Sequence, residues 1–135
     1  MSSEVQAARP TKRRALTVAG AAAAALALWA LAVPVAGIDL TVQLSGATQQ
    51  VGPGAVAAAS LAAGLAAWAL LILLERTLKR AARAWTIIAV VALILSLSGP
   101  LTSAVGTATT LTLTAMHLIV AAVLIPGLGR TARTR

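Results

Sequence analysis

The spacing of basic residues along the chain is the feature that most limits what it can fold into. All eleven Lys and Arg residues fall into three patches. They are Arg9, Lys12, Arg13 and Arg14; Arg76, Lys79, Arg80 and Arg83; and Arg130, Arg133 and Arg135. The stretches between them, residues 15–75 and 84–129, contain no basic residue. Each is long enough for two membrane crossings and a loop, so the pattern predicts a multi-pass membrane protein.

Hydropathy locates the crossings. A membrane helix needs about 20 predominantly apolar residues. Four segments meet this need, at about residues 15–36, 53–74, 84–100 and 108–128. The composition, 59% apolar and 10% charged, departs from that of a soluble domain in the same direction. We therefore expect an all-α fold, a four-helix membrane bundle over residues 15–128, with basic tails at residues 1–14 and 129–135.

The basic patches also predict the orientation. Lys and Arg accumulate on the cytoplasmic side, close to the ends of the spans. Both tails and the central linker are then cytoplasmic, and the loops at residues 37–52 and 99–107, which carry no Lys or Arg, lie outside. The expected location is the cell membrane. Nucleic-acid binding is disfavoured, because it needs basic residues clustered on a soluble face.

The first span has a competing interpretation. Basic residues followed by an apolar run and the small residues of VPVAG, at 33–37, also describe a signal peptide. The run of about 22 residues exceeds the 7–15 apolar residues usual in such signals. We therefore favour a retained helix, and the intact mass of the mature protein distinguishes the two.

The first outer loop carries a strand pattern. Residues 39–44 alternate polar and apolar side chains, Ser45 and Gly46 form a turn signal, and residues 48–51 are suited to a returning strand. We expect a short β-hairpin here, although two strands alone are marginally stable.

Several segments together resemble a known family. They are WALAVPVAGIDLTV at 29–42, VGPGAV at 51–56, LLERT at 73–77, SLSGPL at 96–101 and MHLIVAAVLIPGL at 116–128. In their order and spacing they are similar to the small actinobacterial four-span integral membrane proteins catalogued as a domain of unknown function. The resemblance implies a four-helix membrane bundle and implies no activity.

The one histidine, His117, lies within the fourth apolar segment. It is about ten residues from Gly127, which places it some 15 Å deep, near the middle of the bilayer. Hydrocarbon disfavours a charged side chain, so we expect a neutral ring whose partners are hydroxyl groups. The candidate intramembrane polar cluster is His117, Thr114, Thr110, Ser96 and Ser60. Two interpretations stay open: hydrogen bonds that cross-link the bundle, and a path for protons or a solute.

Other polar residues have local interpretations. Arg76, Lys79, Arg80 and Arg83 set topology and are candidate contacts for anionic lipid head groups. Glu75 is suited to a pair with Lys79 or an arginine, and Asp39 to a turn or solvent. For helix packing, we expect the small residues Ser60 with Gly64, and Gly20 with Ala24, to allow close approach. Trp85 is expected at the inner membrane interface.

No catalytic pattern is present in the sequence. It lacks a Ser-His-acid set, a phosphate-binding Gly loop with Lys, and paired carboxylates, and it has no cysteine. We expect no enzyme, no cofactor and no metal. The predicted role is a non-enzymatic structural or accessory membrane subunit, and the alternative is a small transport or permeation component with a midplane histidine. Expected partners are the lipid bilayer and either a second copy or an unidentified membrane protein.

Overall fold

A computed structural model describes residues 2–132, with side chains described from residue 10. Residues 1 and 133–135, and with them Arg133 and Arg135 of the predicted tail, lie outside the described part. The elements are α1 (Ser2–Ala30), a π-helical turn (Leu31–Val35), β1 (Thr41–Leu44), β2 (Ala47–Gln50), α2 (Pro53–Thr77), α3 (Ala81–Ser96), α4 (Ser98–Ser103) and α5 (Thr107–Gly129). The predicted all-α fold with a small hairpin is confirmed.

The helices are longer than the apolar segments that predict them. α1 begins at Ser2, so the backbone of residues 2–14 is continuous with the first span. The third helical unit runs from residue 81 to residue 103 as α3 and α4. Ser96 and Ser98 donate to the carbonyls of Leu93 and Leu95. These hydroxyls are satisfied within the helix, so the residues that dilute the apolar run do not end it.

A proline shapes the end of the first span. Pro34 has no N–H to donate. Here the helical hydrogen bonds change from four to five residues' separation: the amide of Ala36 donates to the carbonyl of Leu31, five residues back, at 3.0 Å. The chain then turns at Gly37, whose φ of +71° favours glycine. The π-helical turn thus follows from a proline within the ladder.

The four long helical units pack as a ring. α1 contacts α2 and α5, and α3 closes the ring against the same two helices. We call the side with β1 and β2 the hairpin end, and the side with residues 10–14, 76–83 and 130–132 the basic end. A core cluster at the basic end contains Val18, Ala21, Leu71, Leu74, Ala81, Trp85, Leu124 and Leu128. A second, towards the hairpin end, contains Ala25, Leu40, Val56 and Met116.

Two glycines allow α1 to approach its neighbours closely. A Cβ placed on Gly64 would lie 2.7 Å from Val18 Cγ1, and one on Gly127 would lie 2.6 Å from Thr17 Cγ2. Packing at Ser60 and Gly64 is as expected, since both are buried. The expectation for Gly20 is wrong: it is exposed, with nothing within 4 Å of a Cβ. Gly20 lies on the outward face of α1, away from both neighbours.

Large apolar side chains cover the outside of the bundle. Leu16, Leu61, Leu65, Leu73, Ile87, Val91, Ile94, Leu95, Leu111 and Leu118 are all exposed. A water-soluble protein rarely exposes so continuous an apolar surface, whereas hydrocarbon accommodates it. The surface and the lengths of the helices therefore agree on a membrane environment.

The hairpin is anchored to the helices rather than isolated. Ser45 and Gly46, with φ of 52° and 79°, form its two-residue turn, as a type I′ turn requires. The amide of Val105, after α4, donates to the carbonyl of Thr41 at 2.9 Å. Trp29 Nε1 donates to the carbonyl of Val51 at 2.8 Å. These bonds supply the support that two strands alone lack.

Thr109 links α5 to the hairpin end. Its Oγ1 donates to the carbonyl of Asp39 at 2.9 Å, and the residue is 2% exposed. Thr110 is next in sequence, but its Oγ1 donates to Gly106 of its own helix at 2.9 Å. The two threonines are therefore a matched pair for testing this link.

We expect Thr109→Val to lower the free energy of unfolding by about 1–2 kcal/mol, because it leaves the Asp39 carbonyl without this donor. Thr110→Val should cost less than about 0.5 kcal/mol. The measurement is unfolding by denaturing detergent in mixed micelles, with hydrogen exchange at the Val105 amide as a local readout. Equal losses in the two variants would contradict the proposed link.

Candidate functional site

A cavity of about 670 Å³ lies between α2 and α3, with α5 behind it. The hairpin borders one end through Val42, Leu44, Gln49 and Gln50. At the other end Leu70, Trp85 and Ile125 line it. The volume falls in the range of small-molecule sites, about 300–1,000 Å³. The cavity therefore has room for a small ligand.

The cavity opens sideways between α2 and α3. On α2, residues Ala55, Ala59, Ala63 and Ala66 line the cavity and are also exposed. Across from them on α3, the residues that both line the cavity and are exposed are Ile88, Ala92 and Ser96. Ala81 and Trp85 pack with Leu71 and Leu74 at the basic end, so the two helices meet there. The mouth is thus walled by alanine and faces where lipid would be.

Three of the five predicted polar-cluster residues share this cavity. Ser60 of α2, Ser96 of α3 and His117 of α5 all line it. Thr110 and Thr114 are half-buried and are not part of its lining. α5 therefore contributes His117 to the cavity but neither of the two threonines of the predicted cluster.

The polar side chains near the cavity bond mainly within their own helices. His117 Nδ1 lies 2.7 Å from the carbonyl of Leu113. Since a carbonyl only accepts, this hydrogen bond places a proton on Nδ1. Ser96 and Thr110 likewise donate to carbonyls of their own helices. The bonds of these three residues do not link helices, and cross-linking by the cluster stays a prediction.

Trp85 closes the cavity towards the basic end. It is 2% exposed, and its Nε1 donates to the carbonyl of Ile125 on α5 at 3.0 Å. The ring is turned into the bundle, and its predicted depth at the inner membrane interface stays a prediction. A buried indole needs a partner for its N–H, and the Ile125 carbonyl supplies it.

A buried polar cluster at the basic end links α1, α2 and the turn that follows α5. Arg14 of α1 is 5% exposed, and its guanidinium pairs with Glu75 of α2. Its Nε donates to Thr131 Oγ1 at 2.9 Å, and its Nη2 to the Thr131 carbonyl at 3.0 Å. We call Arg14, Glu75 and Thr131 the basic-end cluster. Because its charges are paired and hydrogen-bonded, burial is tolerated.

The sequence predicted a pair between Glu75 and Lys79 or an arginine, and the partner is an arginine. It did not identify Arg14 or Thr131, although a signal for Arg14 was present. Arg14, Val18, Ala21 and Ala25 are buried on one face of α1 at helical spacing. Arg13 falls off that face and is exposed. The position of Arg14 on the buried face of α1 could thus have shown that it points inwards. That it pairs with Glu75 and Thr131 could not be predicted, because they lie 61 and 117 residues away in sequence.

The remaining predicted residues lie at the surface. Arg76, Lys79, Arg80 and Arg83 are all exposed at the basic end. Contact with anionic lipid stays a prediction. Asp39 is exposed at the hairpin end, where its Oδ1 lies 3.5 Å from Gln50 Nε2. Within residues 2–132, no group of three or more His, Cys, Asp or Glu side chains is arranged to hold a metal.

These features define the class of the protein. Four helical units have the length and composition of membrane spans, at residues 10–35, 53–77, 81–103 and 107–129. It is a multi-pass membrane protein built as a helical bundle. The chain belongs to the family of unknown function DUF6069, whose profile matches residues 5–134. No curated protein and no solved structure matches it. The predicted family of unknown function is confirmed, and the actinobacterial origin stays a prediction.

Proposed function

We propose that the protein is a non-enzymatic structural or accessory subunit of the cell membrane. The observation that carries the proposal is the closed basic end of the bundle. Between the cavity and that end lie the packed side chains of Leu71, Leu74 and Leu128, and then the basic-end cluster. The cavity therefore opens to the side and does not continue through the bundle, a shape suited to binding and support.

We propose further that the basic end faces the cytoplasm, which is what the bias of Lys and Arg supports. A single cysteine at Ser45, in the hairpin turn, should then react with a membrane-impermeant maleimide added to intact cells. A single cysteine at Thr11 should react only after the cells are broken. The opposite pattern would reverse the orientation.

The accessory role predicts that reconstituted vesicles show no flux. Under a proton gradient, vesicles with the wild-type protein should acidify no faster than protein-free vesicles. His117→Leu should fold and leave the rate unchanged, because His117 Nδ1 bonds only to its own helix among the described contacts. The measurement is an entrapped pH-sensitive dye, with Thr114→Val as the matched control on the same helix. A wild-type flux that His117→Leu removes would overturn the proposal.

The alternative is a permeation component, and one observation favours it. Ser60, Ser96 and His117 line a single cavity, so hydroxyl and imidazole groups occur together inside the membrane. A second copy or another protein would have to complete the path past Trp85. The flux measurement distinguishes this alternative from the accessory role.

An accessory role implies a partner besides the bilayer. The two candidates are a second copy of this chain and an unidentified membrane protein. Affinity purification in mild detergent, followed by identification of co-purifying proteins and by mass measurement of the complex, tests both. A strictly monomeric protein with no reproducible companion would argue against the accessory role.

A further inference from the structure

The shape of the cavity limits what it can hold. Its lining follows α2 from Ala55 to Leu70, about 22 Å at 1.5 Å per residue. The mouth between α2 and α3 opens to where lipid would be over most of that length, since Ala55, Ala59, Ala63 and Ala66 are exposed along it. The lining is mostly apolar. A long apolar cavity that opens to lipid suits one extended hydrocarbon chain.

The polarity of the lining changes along the cavity. Gln49, Gln50, Ser60, Ser96 and His117 lie in the half towards the hairpin end. The half towards the basic end is lined by alanine, leucine, isoleucine and Trp85, whose N–H is already bonded to Ile125. A ligand that matches both halves has a polar head at the hairpin end and an apolar chain pointing to the basic end. This is how a lipid is oriented in the leaflet at the hairpin end.

The charge at the hairpin end disfavours an anionic head group. Residues 37–52 and 98–107 contain no Lys or Arg. The Asp39 carboxylate lies 3.5 Å from the amide nitrogen of Gln50, which lines the cavity. An anionic head would meet a carboxylate with no cation to compensate it. Carboxamide and carboxylate oxygens instead accept hydrogen bonds from hydroxyl groups.

We propose that this cavity binds one acyl chain of a lipid whose head is uncharged and bears hydroxyl groups. The chain enters sideways between α2 and α3, past the alanines of the mouth, and ends near Trp85. The head lies beside Gln49 and Gln50. The site does not depend on the accessory role or on which end faces the cytoplasm.

The test uses the full chain in phosphatidylcholine nanodiscs and a monoacylglycerol with a photoreactive group in its acyl chain. Ala63→Phe fills the mouth, and Ala62→Phe adds the same ring to a neighbouring exposed position outside the lining. We expect Ala63→Phe to reduce cross-linking to cavity residues about tenfold, equivalent to about 1.4 kcal/mol of binding. Ala62→Phe should leave it unchanged. Unlabelled monoacylglycerol should compete better than lysophosphatidylglycerol of the same chain.

Clear outcomes oppose the proposal. Equal cross-linking in the two variants, or cross-links confined to outward residues such as Leu73 and Ile87, would mean ordinary surrounding lipid and would overturn the site. Equal competition by the anionic lipid would overturn the uncharged head. If Ala63→Phe does not fold, Ala92→Phe on the opposite wall replaces it, with exposed Val91→Phe as its control.

Discussion

Replacing Arg14 with methionine should lower the free energy of unfolding by about 3–5 kcal/mol, the usual cost of removing one partner of a buried ion pair. Methionine keeps most of the side-chain volume but removes the guanidinium. The Glu75 carboxylate, whose side chain is 10% exposed, then remains buried without this cation. Thr131 also loses both of its bonds to Arg14. Unfolding by denaturing detergent in mixed micelles measures the loss.

Two further variants show whether the pair itself is responsible. Arg13→Met removes the same charge one residue away, at an exposed position, and should change stability by less than about 0.5 kcal/mol. Combining Arg14→Met with Glu75→Gln removes both charges and should cost less than Arg14→Met alone. A double variant that loses the sum of the two single losses would show that the residues are not coupled.

Gly64→Leu should be the second large loss, about 3 kcal/mol, at the upper end of what overpacking costs. Even a Cβ at this position would lie 2.7 Å from Val18 Cγ1. Val18 is β-branched and 4% exposed, so its side chain cannot easily turn away. α1 and α2 would have to move apart where Val18 meets position 64. The same unfolding measurement detects the change.

Gly20→Leu is the matched control, because Gly20 lies on α1 with nothing within 4 Å of a Cβ. We expect it to be neutral or slightly stabilising, since leucine is the better helix former. Adding Val18→Ala to Gly64→Ala should recover part of the loss that Gly64→Ala causes alone. If Gly20→Leu and Gly64→Leu are equally harmful, the close approach of α1 and α2 is not the reason.

Much of this fold could be predicted from local sequence. The four spans follow from apolar length, and the hairpin from Ser45 and Gly46 between alternating residues. The ends of the helices were less predictable, because Ser96 and Ser98 look like the start of a loop but satisfy their hydroxyls within the helix. Gly20 and Gly64 look alike in sequence, and only their position relative to neighbouring helices separates them.

The candidate site was predictable only in part. His117, Ser60 and Ser96 could be selected, because polar residues in an apolar span are few. Their hydrogen bonds could not, since a serine or histidine in a helix can bond to its own carbonyls or to a neighbour. The cavity was not predictable either, because its alanines resemble those that fill close helix contacts elsewhere in the chain.

The sequence by itself determined that this chain has four helices long and apolar enough to cross a membrane, since apolar length is a property of single segments. The tertiary structure alone decided which residues act together. It brought Arg14 to Glu75 and Thr131, turned Trp85 inwards, and left an alanine-walled cavity between α2 and α3. The physical reason is that pairing and empty space depend on how helices are rotated against one another. Contacts between residues far apart in sequence fix that rotation.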